Sequence, residues 1–160
     1  MSDHNKIGAR GESIFMTRIT QFGLIDGFFL GDKAPIVDFY LDFVEGNESY
    51  QFFVQVKSTT LGYDNNGNLK ISVPQSKYRQ LQKKRLPTYV AGVDVNKEIV
   101  YLCSAFQERK VISSMPTKHS LKLTRPFRSK KTLKLLKEDV IRFWNGTITK
   151  DYKNKFKSKI

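Results

Sequence analysis

The chain predicts one α/β domain, a mixed β-sheet flanked by helices, and three observations carry that reading. Residues 35–43 and 51–57 alternate apolar and polar side chains with period two, as half-buried strands do. A helical stretch at 74–85 separates them from two further strand-like runs, 88–95 and 98–104. The length, 160 residues, is that of a single domain able to bury roughly two-thirds of its unfolded surface.

Taken in order, Gly8-Ala-Arg-Gly-Glu-Ser-Ile-Phe15 opens a helix, with Ile7, Ile14, Phe15 and Ile19 in apolar spacing and Glu12 in an early turn. In the run 35–43, Asp38, Tyr40 and Asp42 share one face and Phe39, Leu41 and Phe43 the other; in 51–57, Phe52, Val54 and Val56 oppose Phe53, Gln55 and Lys57. Only a short polar stretch, 45–49, lies between the two runs, so they pair as an antiparallel hairpin that brings Asp38 or Asp42 beside Gln55 and Lys57. A lysine on an otherwise hydrophobic strand is costly to bury unless an anionic group sits beside it.

Asn66-Gly67 marks a tight turn before a short strand at 69–73. The helix at 74–85 starts on Pro74 and stops before Pro87, and the strands 88–95 and 98–104 meet around Asn96-Lys97. Residues 109–128 are polar and contain Pro116 and Pro126, with Leu121 and Leu123 a short strand. Ser129 caps a helix whose apolar stripe is Leu133, Leu136, Val140 and Phe143, ended by Asn145-Gly146. Ile148, Tyr152, Phe156 and Ile160 then recur every fourth residue among Lys150, Lys153, Lys155, Lys157 and Lys159, the pattern of a final basic amphipathic helix. The chain accordingly divides into a core, 1–108, and a basic helical C-terminal extension, 109–160, packed on the same domain.

An acidic residue on a first helix, an Asp on a strand and (Asp/Glu/Gln)-x-Lys on the next resemble the PD-(D/E)xK nuclease superfamily. In this chain the parts are Glu12, Asp38 and Gln55-Val56-Lys57. The Gly-x-x-Gly-Glu opening is similar to that of Holliday-junction resolvases, and the Gln form of the third motif to that of Mrr-type restriction enzymes. The resemblance covers about the first two-thirds of the chain. It implies a restriction-endonuclease-like fold with core order αβββαβ and hydrolysis of DNA phosphodiesters with Mg²⁺ (or Mn²⁺). Asp38, the Gln55 side-chain oxygen and the Val56 carbonyl would hold the ion, with Glu12 reaching it directly or through water, and Lys57 would position or deprotonate the attacking water and offset charge in the transition state. Asp38 is preferred to Asp42 because Pro35-Ile-Val-Asp38 is closer to the family's Pro-Asp motif. Gln55 stands where an acid is usual, so metal affinity rests more on Asp38 and Glu12.

Each residue has a plainer reading when taken alone. Glu12 suits a helix N-terminus through the dipole, Asp38 and Asp42 suit an edge hairpin facing solvent, and Gln55 with Lys57 suits a polar outer face. The four in order favour the site. Gln75 on the following helix is a weaker supporting candidate, for which a solvated helix face is the simpler account. Phe39, Phe43, Phe52 and Phe53 fall at positions a core would use, no base-stacking platform is read, and Trp144 is expected in the core.

The formal net charge is +13. Residues 1–108 hold 12 basic and 12 acidic side chains, and residues 109–160 hold 16 and 3, so the whole excess lies in the last third. Such concentration suits a polyanion, since phosphate contacts supply most sequence-independent affinity; Lys83, Lys84, Arg85, Arg128, Lys130 and Lys131 are the candidate nucleic-acid contacts. A Lys-rich tail also serves solubility, and a basic amphipathic helix also suits an anionic membrane surface.

The expected partners are nucleic acid, DNA above all, and a second copy of the chain, because cutting both strands of a duplex or junction calls for two active sites. A catalytically silent nucleic-acid-binding module of the same fold, or a structure-selective junction resolvase, is the alternative. No run has the apolar length of a membrane helix and no signal-peptide pattern opens the chain, so stable membrane insertion is not expected and a cytoplasmic location is. The single Cys103 excludes an internal disulfide and reads as a small core residue, and His4 and His119 give it no zinc-ligand partners.

Overall fold

The computed structural model describes residues 2–31, 36–45, 47–106, 113–124 and 126–146. Helix α1 (Asp3–Thr20) precedes β1 (Ile25–Phe29), β2 (Phe39–Glu45), β3 (Glu48–Thr59), α2 (Gln75–Gln82), β4 (Thr88–Asp94), β5 (Ile99–Ser104), β6 (Leu121–Leu123) and α3 (Pro126–Trp144). Among the described residues six strands form one sheet in chain order; β3 and β4 run parallel and every other neighbouring pair antiparallel. The chain is thus α/β, with a mixed sheet flanked by helices. Among the described residues no helix is long and apolar enough to cross a membrane.

The strand alternation sets two cores, one on each face. Phe39, Leu41, Phe43, Phe52, Val54, Val56, Tyr89, Ala91 and Val93 meet Ile14, Phe15 and Ile19 of α1 and Leu133, Leu136 and Val140 of α3. On the other face Val90, Tyr101 and Cys103 meet Tyr78 and Leu81 of α2, together with Leu69, Ile71, Val73 and Met115. Every residue of β4 is buried, as befits a parallel strand covered on both sides. Each such buried Leu, Val or Phe contributes on the order of 1.5–3 kcal/mol.

Two glycines are fixed by close approach. A Cβ on Gly11 would overlap the Ser58 side chain, so this glycine lets α1 lie directly on β3. A Cβ on Gly92 would run into Met115 Sδ and meet Ile71 Cδ1 at 2.8 Å and Leu69 Cδ2 at 3.0 Å, in the middle of the second core.

The structure corrects several sequence expectations. β1 was not read at all: Ile25-Asp-Gly-Phe-Phe29 lacks clean alternation because it is the sheet's edge strand, with only Ile25 buried. Residues 69–73 are not a strand; Leu69 makes isolated bridges to Tyr63 and Met115, and its apolar neighbours serve the second core as loop. Helix α1 starts earlier than read, which puts Glu12 in its middle and removes the N-terminal dipole as the reason for it. Helix α3 starts at Pro126, so Ser129 is not its cap but lies within it, fully buried and accepting from the Thr124 N–H at 3.1 Å. Trp144 is 40% exposed rather than core, its Nε1 donating to the Gln51 carbonyl at 3.0 Å. Residues 109–146 supply β6 and α3, which complete the sheet and the first core. The final basic helix read at 148–160 lies outside the described residues.

Inside the first core, Asp139 of α3 accepts from the Tyr89 hydroxyl and pairs with Arg142 at 3.1 Å. Burial nonetheless pushes its carboxyl from 3.8 up to about 6, against the opposing pull of Tyr89 and Arg142. Between those values the folded chain holds a proton that the unfolded chain has released. The stability contributed by the neutral carboxyl is therefore full below about pH 4 and is lost as the pH rises through about 6. Asp139→Asn should remove that part of the pH dependence, seen as a smaller difference between urea midpoints at about pH 4.5 and about pH 7; an unchanged difference would show that Asp139 is not its source.

Gly92→Ala should cost about 1–3 kcal/mol by overpacking against Met115 and Ile71, measured by urea unfolding. A loss below about 0.5 kcal/mol would mean that the second core yields more readily than its packing implies.

Candidate active site

The site begins where β2 parts from β3. The register pairs Phe39 with Val54 and Asp42 with Gln51, and the last backbone bond before β2 diverges is from the Asp38 N–H to the Val54 carbonyl at 2.9 Å. The next inward-facing donor on β3, the Val56 N–H, has no β2 residue opposite. The Asp38 carboxylate takes its place: Oδ2 accepts from Val56 N at 2.7 Å and from Gln55 Nε2 at 3.0 Å. In an antiparallel ladder the N–H and C=O of one residue address the same neighbour, so the Val56 carbonyl also faces the Asp38 side.

The other members arrive from both faces of the sheet. Lys57 shares the Gln55 face of β3 and is half-buried, close enough for its charge to lower the Asp38 pKa. Glu12 comes from α1 on the opposite face, positioned by Ile14, Phe15 and the Gly11–Ser58 contact. Its carboxyl is raised above the ordinary value, first by burial and then by the charge of Asp38. Asp38 is raised as well: burial outweighs the Val56 N–H, the Gln55 amide and Lys57, all of which lower it. The structure thus joins Asp38 to Gln55 and Val56 by hydrogen bonds and sets Glu12 and Lys57 near enough to Asp38 for their charges to interact with it, where β2 and β3 part.

Two residues before Asp38, Ile36 adopts φ 81°. A β-branched side chain in this left-handed region costs on the order of 1–3 kcal/mol. The strain lies just before the chain enters β2, next to the point where Asp38 turns toward β3.

Asp42 is not an alternative partner for Gln55. It stands opposite Gln51 and accepts from Ser49 Oγ. Gln75 is exposed at the start of α2. Lys83, Lys84 and Arg85 follow the end of α2, and Lys84 Nζ lies 5.9 Å from the centre of the Phe53 ring, on the Gln55 face. Lys130 and Lys131 are exposed on α3, which packs against the other face. The two predicted basic groups are therefore on opposite sides of the sheet, and the Arg128 side chain lies outside what is described.

As a cation site this arrangement offers hard oxygen donors throughout: two carboxylates, the Gln55 Oε1 left over when Nε2 is given to Asp38, and the Val56 carbonyl. That set suits Mg²⁺ or Mn²⁺ rather than a soft metal. Among the described residues there is no group of three or more His, Cys, Asp or Glu side chains able to hold a metal, so the two carboxylates would carry all of the protein's negative charge toward an ion.

Comparison with protein-family models, with curated proteins and with solved structures finds no match.

Replacing the neutral amide with a third carboxylate tests the electrostatics of the cluster. Gln55→Glu should destabilise the chain by about 1 kcal/mol or more at neutral pH in EDTA, because it removes the donor to Asp38 and adds a like charge. Millimolar Mn²⁺ should restore the melting temperature through binding to the folded state. A variant as stable as the parent in EDTA would show that the carboxylates are too far apart to interact.

Proposed function

We propose that this chain is a metal-dependent endonuclease that hydrolyses DNA phosphodiester bonds. The observation that carries the reading is the join between Asp38 and the Gln55-Val56 segment of β3, with Glu12 and Lys57 in electrostatic contact with it. The order α1-β1-β2-β3-α2-β4, with β3 and β4 parallel, supports a restriction-endonuclease-like arrangement of the core.

Asp38, Glu12, the Gln55 oxygen and the Val56 carbonyl would hold Mg²⁺ or Mn²⁺, which when bound supplies a Lewis acid beside the phosphate. Asp38 is held in one rotamer by two hydrogen bonds, so it meets a cation with little reorganisation. Gln55 orients Asp38 through Nε2. Lys57, on the same face as Gln55, stabilises the negative charge that builds on the phosphate oxygens as water attacks. Lys83, Lys84 and Arg85 contact the flanking backbone phosphates, and two copies of the chain cut the two strands of a duplex or a junction.

One observation favours a second reading, a nucleic-acid-binding module that does not cleave. The Gln55 amide already satisfies Asp38 through a hydrogen bond and lowers its pKa without any cation. The two readings part in a nicking assay on supercoiled plasmid DNA with Mn²⁺ or Mg²⁺. Asp38→Asn, which keeps an acceptor for the Val56 N–H, and Lys57→Ala should each reduce cleavage by roughly 10²–10⁴-fold while DNA affinity in EDTA is retained. Affinity without cleavage under either ion would leave the binding module as the function.

A further inference from the structure

Phe28 is 69% exposed, far more than an aromatic ring needs to be on a strand. The register sets it opposite Tyr40, and Tyr40 opposite Phe53. The three rings make one row across β1, β2 and β3 on the face that carries Gln55 and Lys57. Tyr40 and Phe53 lie 5.8 Å apart in an edge-on arrangement, both are half-buried, and Lys84 stands over Phe53. Helix α2 covers the same face further along, over β4.

We infer that this row is a stacking platform for unpaired bases, and that the substrate presents a single-stranded segment beside the bond to be cut. The inference rests on the nuclease reading and names its substrate class. The bases of a duplex hide their faces in the stack, whereas an unpaired base offers a π-face to each ring, and such stacking tolerates any sequence. The row lies one pleat repeat, about 7 Å, from the Asp38–Gln55 pair. A base on Tyr40 or Phe28 therefore leaves its phosphate within reach of the candidate site. Charge sets the path of the backbone: on the far side of the row Asp26 stands opposite Asp42 and repels phosphate, while Lys84 and Lys57 attract it. The strand enters over the aromatic row and runs toward Lys57.

The test measures binding of the full chain in EDTA, where no cleavage occurs, to a labelled oligothymidine and to a duplex of the same length. Phe28→Ala should weaken oligothymidine binding by about 5- to 100-fold and change duplex binding by less than about twofold. Phe28→Trp should preserve it. Lys84→Ala should weaken both ligands and lower the salt dependence by about one phosphate contact. Equal losses for the two ligands with Phe28→Ala, or no loss for either, would overturn the platform. So would a change in sedimentation behaviour with unaltered DNA affinity, which would make the row a protein–protein surface. Because binding is read without a cation, failure of the plasmid assay leaves this result standing, and loss of the platform leaves the outcome of the plasmid assay standing.

Discussion

A long strand beside a shorter one must satisfy the donors that its neighbour no longer reaches. β3 has twelve residues and β2 seven, and beyond the end of β2 the Val56 N–H faces sideways from the middle of the sheet. An unpaired backbone donor in such a place costs about 1–3 kcal/mol. The chain meets the demand with a carboxylate instead of more strand. Asp38 closes the ladder, and in doing so a charge is fixed in the sheet plane where an uncharged backbone would otherwise run. The left-handed Ile36, the amide of Gln55 and the approach of Glu12 on α1 are all arranged around that substitution.

The balance at this point is electrostatic. Burial raises both carboxyls, and each of the groups that lower Asp38, the Val56 N–H, the Gln55 amide and Lys57, offsets part of that cost. For Glu12, burial and the like charge of Asp38 both act upward. A glutamate at position 55 would add a third acid beside Asp38 and Glu12, against the single positive charge of Lys57 that acts on Asp38. The amide is thus the residue type that lets the cluster persist in a chain whose first 108 residues balance 12 basic against 12 acidic side chains.

Much of this was legible in the sequence because period-two alternation is a strong signal wherever one face is buried. It set Asp38 or Asp42 beside Gln55 and put Phe52, Val54 and Val56 in the core. It could not separate Asp38 from Asp42, since register is fixed by backbone pairing and not by composition. β1 escaped because an edge strand with one buried residue carries no alternation, and with it went the partner that extends Tyr40 and Phe53 into a row. The apolar run at 69–73 misled for the converse reason: it is buried, but under Gly92 as loop and not as strand. Gly11 was read as part of an opening motif, whereas its purpose lies 47 positions away at Ser58, a distance in sequence that no local pattern encodes.

Helices α1 and α3 close the same core, Ile14, Phe15 and Ile19 from one end of the chain sharing it with Leu133, Leu136 and Val140 from the other. A chain emerging from the ribosome cannot complete that layer until α3 is out, so α1 waits with its apolar face uncovered while the strands between the two are made. Folding is then a late, concerted event governed by contacts distant in sequence, which slows it. A protein built this way acquires its carboxylate cluster only after the sheet has closed, and nascent fragments carry the acidic residues without the geometry that joins them.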